Sequence, residues 1–599
     1  MAEFSAAQLD GEADRLGGVI LDHMLEGTAR VMRVGDRIRI AGAPYCGGQV
    51  GAVLGIFTAS KDTLLKLVEP DLEFENRMQR AALARFPLDD RERILIVVPG
   101  LPADKAGLRP GDVVTRVSGH EAGRRDHLQA LHVDSGGAPL TLTVERDGRE
   151  LDVPVETQLG CSYPAQSWFG NDINAFAGHM GNRSGSYVLG GMLEFLPSDD
   201  DLAIVLGHEL GHLILYSGGT KRTEADADYV GLYVAARAGF EVTRAPDLWE
   251  RMGRANPYSN IQWGFFSHPS SAQRSTALRA ALAEIAAKQA AGTPLDPAPV
   301  TERDEPAASD EGTEESTEMR AGALEQLQQK RERLLRVSHA LRTRAVQLCG
   351  DKAAPVLGAA LARRRDALFG KEAEAAEIFG LVDEVKVLAV IPDSPAASAG
   401  VTPGDLVLEV DGEKISRTEE VYTALRAERD QPPKLVLLRS GARVEATLPR
   451  LLGCPQEFML VVNGSYDPWA NRDGEDIWVP EGLLRFARDD DELAIALAHQ
   501  IAHQQLGSAL LTSFADEPPA DVLGLHIATR AGFDVSKAPA LLDRMVAEEP
   551  LKLDPKSEYR GLVTLHGGAV QRSLTVRREL AAMQPSATGA DARTVRPSD

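Results

Sequence analysis

The sequence lacks three things: an apolar run long enough to cross a membrane, any abundance of cysteine or aromatic residues, and enough base to balance its acid. The most apolar stretch, Leu202 to Tyr216, is too short for a span and carries two histidines and a glutamate. A net charge of -23 excludes nucleic acid and anionic membrane surfaces as main partners. The start, Met1-Ala2-Glu3-Phe4, has neither a basic n-region nor an apolar h-region. The expectation is a cytosolic protein, or one whose secretory signal has been removed or replaced. At 599 residues the chain is too long for one core, so several domains are expected.

What is present comes twice. Asp200-Asp201-Leu202-Ala203-Ile204 leads into His208 as Asp491-Glu492-Leu493-Ala494-Ile495 leads into His499. Ala227-Asp228 through Arg237-Ala238-Gly239-Phe240 is echoed by Ala520-Asp521 through Arg530-Ala531-Gly532-Phe533. His268 stands six residues before Arg274, and His566 six before Arg572. So many landmarks in one order imply a tandem duplication. The segment 287–322, rich in Pro, Ala and acidic residues, has too little apolar surface to fold and reads as a flexible acidic linker. The last residues, 584–599, read as a disordered tail.

Each half contains a Pro-Gly-Asp turn after an apolar strand: Leu108-Arg109-Pro110-Gly111-Asp112 follows Ile94 to Val98, and Val401-Thr402-Pro403-Gly404-Asp405 is its counterpart. Both segments resemble the PDZ domains of bacterial envelope proteases. That resemblance implies capture of an extended chain as an added strand, with its carboxylate near Phe86-Pro87-Leu88 or Phe379-Gly380-Leu381. Pro87 removes one donor from the first loop. Modules that only brace their neighbours are the alternative.

His208 and His212 are four apart in a helical stretch, so both imidazoles share one face and can reach one ion. Glu209 lies between them as candidate general base. Asp200 or Asp201 is expected to cap the helix. Zinc needs a third ligand and an open position. Glu224, opening the next helical run, is the best candidate, with Asp228 one turn on to orient a ligand imidazole. An ordinary amphipathic helix with two satisfied histidines is the bland alternative.

His208-Glu209-Leu210-Gly211-His212, then Glu224 with Ala227-Asp228, then Ser267-His268-Pro269-Ser270 with Arg274, resemble the zinc peptidase family of HtpX, BepA and the CAAX prenyl endopeptidases. The resemblance implies a Zn2+ ion on His208, His212 and Glu224. It also implies that Asn174, Ala175 and Phe176 lie on an edge strand over the metal that receives substrate backbone, and that His268 and Arg274 sit beside the reacting atoms. Without membrane spans, the chain is nearer the soluble envelope branch.

The second copy reads His499-Gln500-Ile501-Ala502-His503. Gln500 cannot accept a proton at neutral pH, so hydrolysis is expected to fail there. His499, His503 and Glu517 remain as a possible second metal site, although Pro518-Pro519 is expected to interrupt the start of the ligand helix. This half is either a decayed domain kept for packing or a substrate-holding pseudoprotease. The four cysteines repeat in position, which selects the disulfides Cys46–Cys161 and Cys349–Cys454 over the other pairings; four free thiols are the alternative. Disulfides imply an oxidising compartment such as a periplasm, against the cytoplasm.

The expected fold class is α+β: a tandem duplication of helical lead-in, PDZ-like β module and mainly α zincin-type peptidase domain, the second peptidase copy degenerate. The boundaries are a lead-in at 1–85, a module at 86–157, a peptidase domain at 158–286 and the linker at 287–322. They continue with a second lead-in at 323–378, a module at 379–450 and a pseudo-peptidase domain at 451–583. The expected function is a zinc endopeptidase acting on protein or peptide substrates, unfolded or misassembled envelope proteins by the resemblance, presented through the modules. The rival is a non-proteolytic PDZ and pseudoprotease chaperone or scaffold with a latent metal site.

Overall fold

The structure is a computed structural model that describes residues 4–60, 88–122, 138–168, 170–180, 183–216, 224–255, 272–299, 314–366, 376, 380–427, 431–461, 466–470, 476–507, 516–548 and 568–584. The chain opens on a long helix, α1 (Ala6–Gly42), started by a Ser5–Gln8 capping box. At 1.5 Å per residue it spans roughly 55 Å. That reach lets it serve two cores: Leu16 and Ile20 pack with Val546 and Ala569, whereas Val31, Val34 and Ile38 join the core of the first half.

Strand β1 (Val50–Val53) leaves this region and pairs antiparallel with β7 (Gln158–Cys161), so entry to and exit from the module lie side by side. Between them, β2 (Ile56–Ala59), β3 (Arg93–Val97), β4 (Val113–Val117), β5 (Leu140–Arg146) and β6 (Arg149–Val155) form an antiparallel sheet in that order. Its buried face gathers Ile94, Val114, Val117, Leu142 and Val144. In the Pro-Gly-Asp turn Gly111 has φ +101°, and the Asp112 carboxylate accepts from Arg109 N (2.9 Å) and from the Arg146 guanidinium (2.6 Å). The second module repeats this with Gly404 at φ +96°, Asp405, Thr402 N (2.9 Å) and Arg439 (2.7 Å). The motif therefore closes a turn through a glycine conformation and a buried carboxylate.

Past β7 come β8 (Ala165–Trp168), β9 (Ala175–Met180) and β10 (Arg183–Leu189), ordered β9-β10-β8 with β9 at an edge. Helices α2 (Asp199–Tyr216), α3 (Glu224–Arg237), α4 (Ala245–Ala255) and α5 (Ala272–Ala291) follow.

Among the described residues the second half follows a similar element order, with a helix at Thr418–Arg426 in addition. Helix α6 (Glu314–Arg344) leads to β11 (Ala359–Ala362), β12 (Val385–Val390), β13 (Leu406–Val410), helix α7 (Thr418–Arg426), β14 (Lys434–Arg439) and β15 (Ala442–Thr447), with sheet order β11-β12-β13-β14-β15. Then come β16 (Glu457–Val461), β17 (Trp469–Ala470) and β18 (Asp476–Pro480). Helices α8 (Asp490–Leu506), α9 (Glu517–Arg530), α10 (Ala538–Glu548) and α11 (Ala569–Met583) complete it.

Both expected disulfides are formed, Cys46–Cys161 and Cys349–Cys454, with Cα separations of 5.7 and 5.6 Å. Each ties the end of a lead-in to the strand leaving its module.

Four sequence expectations are corrected. The modules begin earlier than 86 and 379, because β2 and β11 pair with β3 and β12 and complete their sheets. The segment 287–322 is not uniformly loose. Helix α5 runs to Ala291, α6 starts at Glu314, and Asp296 pairs with Arg237 (2.8 Å) and accepts from Tyr45. Pro518 and Pro519 do not interrupt α9, since they sit in its first turn, where no intrahelical donor is needed. The α2 terminus is capped by Ser198, whose hydroxyl accepts from Asp201 N (3.1 Å), and not by Asp200 or Asp201. The tail 585–599 and the loop residues Phe86, Pro87 and Phe379 lie outside the described residues.

The halves interlock. Arg15 of α1 pairs with Asp543 of α10 (2.7 Å), and Ser573 of α11 donates to Glu12 (2.6 Å). Reciprocally, α6 lies along α4 of the first half.

Candidate metal centre

Helices α2 and α3 approach closely because glycines face each other across the crossing. A Cβ on Gly231 would lie 2.5 Å from the Gly207 carbonyl carbon, and one on Gly211 would lie 2.5 Å from Ala227 O. This contact sets Glu224 and Asp228 against the histidines of α2.

His208 Nε2 and His212 Nε2 are 3.1 Å apart. Glu224 reaches both, at 3.3 Å from His208 and 3.5 Å from His212. The Asp228 carboxylate lies 2.7 Å from His208 Nδ1, placed to accept a hydrogen bond from it and so to favour the tautomer whose Nε2 is a free lone pair for a metal. The Trp249 ring, on α4, packs edge-on against His208 at 5.1 Å. Glu209 is buried beside this cluster. Side-chain exposures of 18% for His212 and 25% for Glu224 leave the cluster open on one side.

The donor chemistry fits zinc. Four ligands about 2.05 Å from a tetrahedral centre stand about 3.3 Å from one another. The three separations here bracket that value.

Helices α8 and α9 rebuild the arrangement. His503 Nε2 is 3.0 Å from His499 Nε2, and Glu517 lies 3.2 and 3.4 Å from the two rings. Asp521 is 2.9 Å from His499 Nδ1. Arg572 of α11 forks onto Asp521 (2.8 and 2.9 Å) and reaches Glu517 at 3.4 Å. Burial alone would raise the Asp521 carboxyl, but the Arg572 and His499 charges hold it below the usual range. Gln500 is buried where the first half has Glu209. The structure gathers His499, His503 and Glu517 as tightly as the first triad, with Glu517 only 1% exposed.

Of the other expected residues, Ala175 and Phe176 lie on the edge strand β9, which packs beside α2. Phe176 stacks on Tyr187 at 5.1 Å. Asn174 precedes the strand, and its carbonyl accepts from Leu189 N (3.1 Å). His268 and the Arg274 side chain lie outside the described residues. In the second module Gly380 has φ +58° and Leu381 is buried. Sequence reasoning missed Trp249 and the glycine crossing. An aromatic on an amphipathic helix carries no local mark, but facing glycines at 207, 211 and 231 are a readable signal of close helix approach.

Residues 144–215 match peptidase family M48, and residues 73–157 and 386–439 each match a PDZ domain. The M48 match covers the His208–His212 segment and ends before Glu224. A probable periplasmic serine endoprotease, DegP-like, from Hahella chejuensis is 46% identical over 61 residues, 10% of this chain. The chain spans only 13% of the length of that relative. Among solved structures, the HtrA-type protease AlgW with a decapeptide is 30% identical over 17% of this chain and 30% of its own, with a TM-score of 0.14. A PDZ domain protein from Parabacteroides distasonis is 10% identical over 67% of this chain and 98% of its own, with a TM-score of 0.13. The family matches identify an M48-type peptidase region joined to two PDZ modules within one chain.

Proposed function

We propose that the first half is a zinc-dependent endopeptidase and that the second half is its duplicate, unable to hydrolyse. The observation that carries the first part is the convergence of His208, His212 and Glu224 at tetrahedral ligand spacing beside the buried carboxylate of Glu209. A zinc ion held by His208, His212 and Glu224 would supply Lewis acidity to a water and to the scissile carbonyl. The Glu209 carboxylate is the group that would act as general base toward a water and return the proton to the leaving nitrogen. Asp228 holds His208 in the tautomer that ligates, and Trp249 fixes the ring plane. The open edge of β9 is the surface on which an extended substrate backbone adds as a strand.

The shared element order and the matching site geometry of the two halves support the duplication. Gln500 in place of the base supports the loss of activity. The PDZ modules are assigned the capture of unfolded or misassembled proteins. Two disulfides and a DegP-like relative support a periplasmic setting, and among the described residues no helix is long and apolar enough to cross a membrane.

The test is casein degradation by the wild type and by Glu209→Gln, with zinc content measured on both. The expected result is a loss of about 10²–10⁴-fold with zinc retained. Equal rates in the two proteins would favour the non-proteolytic scaffold instead.

A further inference from the structure

We propose that the second half holds a zinc ion of its own, ligated by His499 Nε2, His503 Nε2 and the Glu517 carboxylate, as a structural centre. This goes beyond the endopeptidase assigned to the first half. The three ligand atoms stand 3.0, 3.2 and 3.4 Å apart, close to the spacing of about 3.3 Å that a tetrahedral zinc imposes.

Three further observations support a bound cation. First, Glu517 and Asp521 are both buried, and the neighbouring guanidinium of Arg572 supplies one positive charge to these two carboxylates. A divalent ion between Glu517 and the two imidazoles would add charge of the sign that buried carboxylates favour. Second, Asp521 and Arg572 form the outer support that fixes the His499 ring, as expected around a ligated histidine. Third, a cavity of about 40 Å3 adjoins the cluster, lined by His499, Gln500, Asp521 and Arg572 against Ile495 and Leu541. That is more than the roughly 10–15 Å3 one water needs, so the His499 and Gln500 side of the cluster has room for a water. Gln500 can hydrogen-bond a water but cannot take its proton, so an ion held here would lack the general base that hydrolysis needs.

The closed setting separates the two centres by purpose. The second triad is nearly inaccessible, with side-chain exposures of 9%, 5% and 1%, whereas the first is partly open. A substrate carbonyl cannot reach an ion sealed from solvent, whereas an accessible open position can admit one. What this ion would hold is the docking face between the halves. Arg572 touches the ligand Glu517, and its neighbour Ser573 donates to Glu12 on α1. Ordering α11 from the metal side therefore orders the seat of the first helix.

The experiment measures zinc per full-length chain by mass spectrometry. It compares the wild type, His208→Ala/His212→Ala and His499→Ala/His503→Ala. Two equivalents in the wild type and one in each variant is the expected result. One equivalent in the wild type, lost only from the first-half variant, overturns the proposal and leaves the endopeptidase reading standing. One equivalent lost only from the second-half variant supports it and sinks zinc in the first half. Because the second-half variant can misfold, the first-half variant is also loaded with Co2+. One equivalent of tetrahedral d–d absorption is expected, with chelation lowering its unfolding temperature by about 10 °C. No absorption and no shift overturn the proposal without any change to the second half.

Discussion

Replacing Gly231 with alanine tests whether close helix approach builds the first metal centre. The added Cβ would lie 2.5 Å from the carbonyl carbon of Gly207, 2.6 Å from its oxygen and 2.6 Å from His208 N. All three are backbone atoms, so no side chain can swing aside. Reaching an ordinary contact of 3.4 Å requires α3 to retreat by about 0.9 Å. Metal ligation tolerates roughly 0.2 Å, so Glu224 would be carried out of range. Overpacking of this kind costs about 1–3 kcal/mol and lowers the unfolding temperature by about 2–12 °C. Zinc affinity, measured by competition with a chromophoric chelator, is expected to fall at least tenfold, on the order of losing a ligand's support. Gly524, the counterpart in the second half, supplies the control. A Cβ there meets His499 Cα and N at 3.0 Å, half the intrusion, so Gly524→Ala should be milder. If Gly231→Ala binds zinc within twofold of the wild type, or if the two variants suffer equally, the argument from close approach is wrong.

Asp228→Asn should weaken zinc binding in the first half by about 10–100-fold while leaving the fold intact, because His208 loses the acceptor that sets its tautomer; unchanged affinity would remove Asp228 from the site. Reduction of Cys46–Cys161 opens a loop of 115 residues, for which chain entropy predicts a loss approaching about 4.8 kcal/mol, to be read as a fall in the urea midpoint under reducing conditions. His339 is pushed down to about 4 by burial and by the Arg342 and Arg344 charges, from an ordinary value of 6.5. Between these values the unfolded chain binds a proton that the folded chain refuses. Stability should be full above pH 6.5, fall as pH drops toward 4, and fall less steeply in His339→Gln. Asp199 is depressed despite burial, because Arg33 and Arg30 pair with it; its contribution is present above the ordinary carboxylate pKa of 3.8 and is lost only as pH falls below that. Asp199→Asn should therefore flatten the acid limb of the stability curve.

Local periodicity made much of the first centre readable. Two histidines four apart must share a helix face, and Glu224 and Asp228 four apart must share another. Even the disulfides followed from repeated positions, without any knowledge of the fold. Strands β2 and β11 escaped because their partners lie far along the chain, and a short apolar strand reads the same whether it ends a lead-in or begins a sheet. The boundaries at 86 and 379 erred for that reason. The segment 287–322 erred for another: its composition predicts a loose chain, but Asp296 is held by Arg237 and Tyr45, which only packing brings near.

The sequence alone determined how the two halves differ at the position between their paired histidines. A carboxylate at Glu209 can act as a base and an amide at Gln500 cannot, wherever either residue sits. It also determined that each half carries two histidines on one helix face, since that spacing is a property of helices. The tertiary structure decided what no spacing encodes: that α1 and α6 each reach across to the opposite half, and that Arg572 stands over one triad. It also decided that one triad opens to solvent while the other is sealed. Those outcomes depend on contacts between residues hundreds of positions apart, which form only when the whole chain has packed.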